Sequence, residues 1–419
     1  MKARDPKSRF WRISAAGIFF QGGAAAVDSG TIIAALVHGL TGSTFAVGAA
    51  AAILRYGWLS PQLFVAYFAQ RHRRRMPFYV FGAFGRAACL AGVAGLLAIA
   101  GGLPEGLAIG LFFGLWVAYS FVSGIVAVPY NDIVARSIPS ARRSRMLAVR
   151  FFGGGLLALG IAAIAHQLLG VLAFPTNYAA IVLLGAVLLL ASSIFFVSAG
   201  EPTAPPPRDS GGFVAFLGRG FAVFRADDRF RLFVYSQWLG GAVTMALPFY
   251  ILQAMDFAVS GADVAFLLGA QTAGALASNA LWGWWGDHRG KRSLLEGVAV
   301  LRTALPLLTL LWVWVAASWA VPPLAGFAVI FMVLGALSNG TTIAMLGYLM
   351  EISPDDRRPA YSGYFNALVA PAALLPLAGA AIVEASSLSG VFAVALGAAI
   401  LQYLTVRRLR GLSAAPAPA

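Results

Sequence analysis

Arg55 is set among Leu54, Tyr56, Gly57 and Trp58, roughly eleven residues or about 16 Å into an apolar run. A charge at membrane depth costs about 2.5–3.5 kcal/mol on insertion scales and so marks a functional candidate. A guanidinium there presents a fork of N–H donors that matches a carboxylate or a phosphate. The alternative is a structural ion pair with Asp28, an acid inside the preceding run. Asp28 also suits a proton carrier, because burial and a neighbouring arginine act on its proton affinity in opposite senses; a permanently ionised partner is the other reading. Gln21 and Gln237 lie at matching depths of two runs, to contact a solute or to hydrogen-bond across helices. Gln271, Trp238, Tyr119 and Asn339 complete the set of binding candidates. Arg86 and Arg302 also sit in mid-run, and the reading favours structural roles for them, turned onto backbone carbonyls or an acid such as Glu296. Arg150 lies about one turn inside its run and either snorkels to headgroups or joins Asn366 at the inner mouth of a cavity.

Elements that could hold such residues are dictated by composition. Of 419 residues, 60% are hydrophobic and only 11% charged, with a mean hydropathy of +0.80. An ordinary soluble domain carries roughly 25% charged residues, so there is too little polar surface here for a water-facing protein, a coiled coil or a disordered chain. One cysteine, Cys89, rules out a disulfide framework and a paired-cysteine metal site. A spanning helix needs about 20 mostly apolar residues. Twelve such runs are expected, at 12–37, 44–69, 77–101, 105–134, 146–172 and 177–198, then 230–255, 261–285, 293–316, 322–351, 360–384 and 387–406. The first is too long for a signal-peptide core and is kept as a span.

The net charge of +14 is a topology signal. Apart from Arg55, Arg86, Arg150 and Arg302, all 30 Lys and Arg residues fall at the amino terminus, in alternate connections, in the middle segment or after the last run. That asymmetry places both termini and the middle segment on the cytoplasmic side of the cell's inner membrane. It also argues against a nucleic-acid partner; the expected partners are a small-molecule solute and the lipid bilayer, with the chain a monomer.

The chain reads as residues 1–198, a six-helix half, then 199–229, a cytoplasmic linker, and 230–419, a second six-helix half. The linker contains Glu201-Pro-Thr-Ala-Pro-Pro-Pro207 and an amphipathic stretch from Phe213 to Phe224 that suits the inner membrane face. Internal similarity relates the halves. Pro139-Ser-Ala-Arg142-Arg143 recurs as Pro354-Asp-Asp-Arg357-Arg358, and Gln21, Arg55, Arg86 and Arg150 find counterparts in Gln237, Gln271, Arg302 and Asn366.

The turn Gly283-Trp-Trp-Gly-Asp287-His-Arg-Gly290-Lys291-Arg292 resembles the signature of the major facilitator superfamily. The resemblance implies an all-α integral membrane fold of twelve transmembrane helices in two pseudo-symmetric halves. It also implies that the first, second, fourth and fifth spans of each half line a cavity, with the third and sixth peripheral. In this turn Gly283 is expected to permit close helix approach and Gly290 a φ > 0 conformation. Asp287 would accept from a helix terminus while Lys291 and Arg292 reach headgroups, the whole acting as an inner latch. The first-half copy departs from the pattern at Ala66, Gln70 and Arg73. At the inner ends, Asp132 is expected to pair with Arg142 or Arg143, and Glu351 with Arg357 or Arg358, as gate or as loop fasteners.

No Walker phosphate loop, no His-x-x-x-His pair and no Gly-x-Ser-x-Gly elbow occurs, so neither an enzyme nor a cofactor is expected. The fifth span has Gly153-Gly-Gly155 without the Gly-Pro element of the drug-exporting branch. The expectation is a proton-coupled secondary transporter for a small organic solute, anionic or amphiphilic, working by alternating access. The alternatives are a multidrug or metabolite exporter of the same fold, or a membrane sensor or scaffold that no longer transports.

Overall fold

An apolar run in lipid has no water for its backbone groups and satisfies them internally as helix. The computed structural model describes residues 6–69, 72–202, 212–257, 259–319, 322–353 and 358–411, and among these there is helix and no strand. The first half contains α1 (Pro6–Ala26), α2 (Ile32–Thr41), α3 (Thr44–Ala69), α4 (Met76–Ile99), α5 (Glu105–Ser137), α6 (Ser140–Val171) and α7 (Thr176–Ala199). The second begins with α8 (Phe213–Ala226) and continues with α9 (Asp228–Thr244), α10 (Phe249–Met255), α11 (Gly261–His288), α12 (Lys291–Ser318) and α13 (Pro323–Ile352). It closes with α14 (Arg358–Val369), α15 (Leu375–Ala385) and α16 (Leu388–Arg408). By length and composition, ten helical segments among the described residues can cross a membrane. The other two expected runs are α1 with α2, and α3.

Three of the expected spans are broken. The first stops at 27–31, the seventh between α9 and α10 around Pro248, and the eleventh passes through a 3-10 turn, Ala370–Leu374, that contains Pro371. A proline withholds its N–H and clashes with the preceding turn, which accounts for the last two. The first break has a polar cause. Asp28 Oδ1 accepts from the Gly30 N–H at 3.0 Å and from Thr31 Oγ1 at 2.9 Å, bonds that compete with the helix ladder. The amphipathic part of the linker is α8. Its proline-rich part, 203–211, lies outside the described residues, as does 354–357.

The chain forms two compact units, Met1–Ser210 with Ser260–Gly269, and Gly211–Val259 with Ala270–Ala419. Within the first, α1 packs on α6 and α7, α4 on α5 and α7, and α3 on α5. Trp116 on α5 is fully buried and donates its indole N–H to the Ala50 carbonyl at 2.9 Å. Ser192 and Ser193 on α7 donate to Ala16 O and Ala83 O, at 2.7 and 3.2 Å. An aromatic cluster joins Tyr79, Tyr130 and Phe196, the Phe196 ring lying 4.2 Å from Tyr79 and 4.9 Å from Tyr130. Within the second unit, α12 packs on α13 and α16, and α9 on α16. Asp227 caps α9 by accepting from the Phe230 N–H at 3.0 Å.

Candidate functional site

Seven residues separate Tyr79 from Arg86 on α4, and seven separate Ser123 from Tyr130 on α5, so each pair shares a helix face two turns apart. Both faces turn onto a cavity of about 170 Å³ inside the first unit, completed by Phe20 of α1 and Arg150 of α6. Arg86 is only 5% exposed. Its guanidinium carbon lies 4.9 Å from the Phe20 ring centroid, and that of Arg150 lies 5.6 Å from the same ring. Arg150 donates through Nη1 to Tyr130 Oη at 3.0 Å, and its guanidinium also stands 5.4 Å from the Tyr130 ring. These ring contacts stabilise a cation modestly, by about 0.5–2 kcal/mol. They do not neutralise it.

Among the described residues no acid lines the cavity; the remaining wall is apolar or neutral, with Trp58, Asn131 and Ser192 among it. The titratable groups acting on Arg86 are Tyr79, Tyr119, Tyr130 and Arg150, with no carboxylate among them. The Nε atoms of Arg86 and Arg150 are both buried without a hydrogen-bond partner among the described residues. Two permanent charges therefore share one small space with donors left over. Access for the Arg150 stem comes from Gly17: a Cβ at that position would stand 2.5 Å from Arg150 Cγ. What this arrangement can do chemically is bind a negatively charged oxygen group.

Residues 237–418 match the family model described as the Major Facilitator Superfamily. Solved structures resemble the whole chain. Nucleoside transporter NupG aligns at TM-score 0.69 with 12% identity, covering 97% of this chain and 100% of that one. The POT family transporter PepTSo aligns at TM-score 0.72 with 11% identity, over 98% and 100% of the two chains. This chain has the major facilitator superfamily fold. Among curated sequences, an uncharacterized protein of Mycobacterium tuberculosis is 24% identical over 262 residues, 59% of this chain and 48% of that protein. The match thus spans about half the length of the curated relatives.

In this chain the cavity corrects two expectations. The third span, α4, is not peripheral to it, and Arg86 faces it rather than a carbonyl or an acid. Arg150 reaches inward to Tyr130 rather than out to headgroups. Arg55, Asp28, Gln21 and Tyr119 are not in the cavity wall. Gln21 lies against Gly154, where a Cβ would stand 2.6 Å from Gln21 Cβ. Tyr119 is 7% exposed and stacks on Trp116 at 5.1 Å. The signal that could have singled out Arg86 is the lack of any acid within residues 76–99, together with Tyr79 on the same face.

The second-unit candidates are placed apart. Gln237 is buried and donates through Nε2 to Ser236 Oγ at 3.2 Å. Trp238 donates its indole N–H to Leu368 O at 2.8 Å. Asn339 Nδ2 donates to Asn279 Oδ1 at 3.0 Å and to Ala275 O at 3.3 Å, one turn from the Gln271 carbonyl that faces Gly335. These bonds tie α11 to α13. Arg302 donates to Gln402 Oε1 at 3.1 Å, and Glu296 accepts from Arg410, at 2.8 Å from Nε, and lies 3.9 Å from Arg292.

At the signature turn, Gly290 has φ of 83°, the left-handed conformation that glycine adopts without strain. Asp287 accepts from Lys291 Nζ at 3.0 Å in an exposed pair, worth at most about 1 kcal/mol. A Cβ at Gly283 would meet nothing within 4 Å among the described residues, so no close approach of the kind expected is seen there. Asp132 departs from its expected pairing with Arg142, which is exposed. It accepts instead from Arg75 Nη1 at 3.0 Å and Arg136 Nε at 2.8 Å. Glu201 joins them, accepting from Arg136 Nη2 at 2.9 Å and from the N–H groups of Arg75 and Met76 at 2.8 and 3.0 Å. It thereby satisfies unpaired donors at the start of α4. Burial raises the Glu201 carboxyl, but these bonds outweigh it and hold the group below its ordinary value. Glu351 is exposed, and Arg357 lies outside the described residues.

Proposed function

We propose that this protein is a secondary transporter that carries a small organic anion across the cytoplasmic membrane by alternating access, with both termini inside. The observation that carries the reading is the acid-free cavity with Arg86 and Arg150 in its wall. A buried guanidinium left without a carboxylate or amide partner carries a costly unbalanced charge, which an anion reaching it relieves, and a major facilitator fold supplies a route to both membrane faces. NupG and PepTSo, which share the fold, are transporters of nucleosides and of the POT family. The sidedness rests on the Lys and Arg distribution. Asp28 serves the helix break at 27–31 in this reading, and transport does not depend on its carrying a proton.

The test is a thermal-shift panel on detergent-purified protein with organic anions, sugars, amino acids and lipophilic cations, run on wild type beside Arg86→Gln. A ligand at 100 times its Kd stabilises by about 2.7 kcal/mol. Stabilisation by an anion in wild type, absent in the variant, is the expected result, followed by flux of that anion into proteoliposomes. Equal stabilisation of both proteins by cations or neutral amphiphiles would sink the reading.

A further inference from the structure

The charge count at this cavity says more than that an anion binds. We propose that the site takes a doubly charged oxyanion, and that the protein moves it only in exchange for another. This rests on the transporter reading above.

Two guanidiniums face the cavity, and arginine stays protonated at every physiological pH. Arg86 is 5% exposed with its Nε unpartnered, and the Arg150 Nε is likewise buried and unpartnered. The Phe20 ring, shared by both, offers a quadrupole and no charge. A singly charged ligand would leave one of the two guanidiniums unbalanced. A dianion neutralises both and gives each fork an oxygen pair to hold. Tyr130, already accepting from Arg150, keeps its own O–H to donate, and Tyr79 and Ser123 add two further hydroxyls to the wall. A cavity of about 170 Å³ suits a compact oxyanion such as a short dicarboxylate or a small phosphate ester.

Exchange follows from what the wall lacks. A symporter that returns empty needs a group that can cancel the cations on the way back, and a carboxylate would do so. Among the described residues none is present, and none of the four histidines lies in the wall either. An empty return would carry two uncompensated charges through a low-dielectric interior. A return loaded with a second dianion is neutral, and the full cycle moves no net charge.

The experiment uses the full chain in proteoliposomes, with radiolabelled sulfate and radiolabelled succinate as probes. Vesicles are preloaded with the unlabelled dianion or with chloride alone. At least tenfold faster uptake into dianion-loaded vesicles, unchanged when the pH gradient is collapsed, is expected. Equal uptake into chloride-loaded vesicles overturns exchange while leaving the anion-transporter reading intact. Thermal shift with sulfate, phosphate, succinate and acetate tests valence in parallel. Acetate matching the dianions overturns the double charge, and stabilisation by none of the anions sinks both readings. Sulfate and phosphate active without succinate identifies the phosphate-ester class, and the reverse identifies the dicarboxylate class. Arg150→Gln, which keeps Arg86, is expected to shift preference from succinate towards acetate by at least tenfold. An unchanged preference in folded Arg150→Gln protein overturns the charge argument. If that variant does not fold, Arg150→Lys keeps the charge and loses the fork, and must retain the dianion preference with weaker binding.

Discussion

Arg86 in the first unit and Arg302 in the second occupy corresponding places in their halves and are almost equally buried, at 5% and 7% exposed. Their surroundings differ. Arg302 donates to Gln402 Oε1, and Gln402 Nε2 passes the chain on to Ser236 O at 3.0 Å. Gly240 keeps that space open, since a Cβ there would collide with the Arg302 head. Arg86 has an aromatic ring, a second arginine and a cavity. The same residue type at the same depth is a helix fastener where an amide is supplied, and a binding group where the wall is left without acceptors. Burial alone does not distinguish the two roles; the partner list does.

The sharpest way to break this contrast is to replace each arginine by glutamine. Arg86→Gln should abolish stabilisation by sulfate or succinate, a loss of about 3 kcal/mol at saturating ligand, with little cost to the ligand-free protein because a poorly compensated charge is removed. Arg302→Gln should do the reverse, lowering ligand-free stability by about 1–3 kcal/mol while leaving anion stabilisation in place. Melting curves with and without anion decide it, and matching behaviour of the two variants would erase the distinction. Gly17→Ala comes next. Its methyl would meet the Arg150 stem at 2.5 Å, an overpacking that costs about 1–3 kcal/mol and should weaken anion binding by displacing the guanidinium.

Glu201→Gln probes the first unit away from the cavity. The carboxyl of Glu201 is depressed below its ordinary 4.5 in the folded protein. Its contribution is therefore present above that ordinary value and is lost as pH falls through the depressed one. Wild type should lose stability on acidification below about pH 4.5 in a step that the variant lacks, and at neutral pH the variant should melt earlier by about 1–2 kcal/mol. The smallest effect is expected for Asp28→Asn. Asparagine keeps an acceptor for Gly30 and Thr31, so stability should change by less than about 1 kcal/mol, and flux should keep its pH dependence. A flattened pH profile would restore Asp28 as a proton carrier.

Much of the fold was legible because apolar run length is a one-dimensional property. The runs at 105–134 and 177–198 became α5 and α7 with boundaries moved by three residues or fewer. The break at 27–31 was legible in principle, since Asp28-Ser-Gly-Thr31 is a cap sequence embedded in an apolar run. The site was harder to read. Whether Arg86 faces lipid, a neighbour or a cavity depends on the rotation of α4, which its own sequence leaves open apart from Tyr79 two turns earlier. Arg150 depended on a residue in another helix, Gly17, and no spacing rule links the two. Asp132 was misassigned for a different reason: Arg136, one turn further along α5, is the nearer partner and was passed over, whereas Arg75 reaches Asp132 only once α4 and α5 pack.

Gly17 constrains the route by which this cavity could have arisen. With alanine at that position, an arginine at 150 has no room for its stem, so the substitution that brings the charge is unfit on its own. With glycine already present, the same change is accommodated. The order glycine first, arginine second is therefore the passable one, and the pair is a two-position fingerprint: chains of this fold that carry arginine at the position of Arg150 should carry glycine at that of Gly17, whereas glycine without arginine is free to occur.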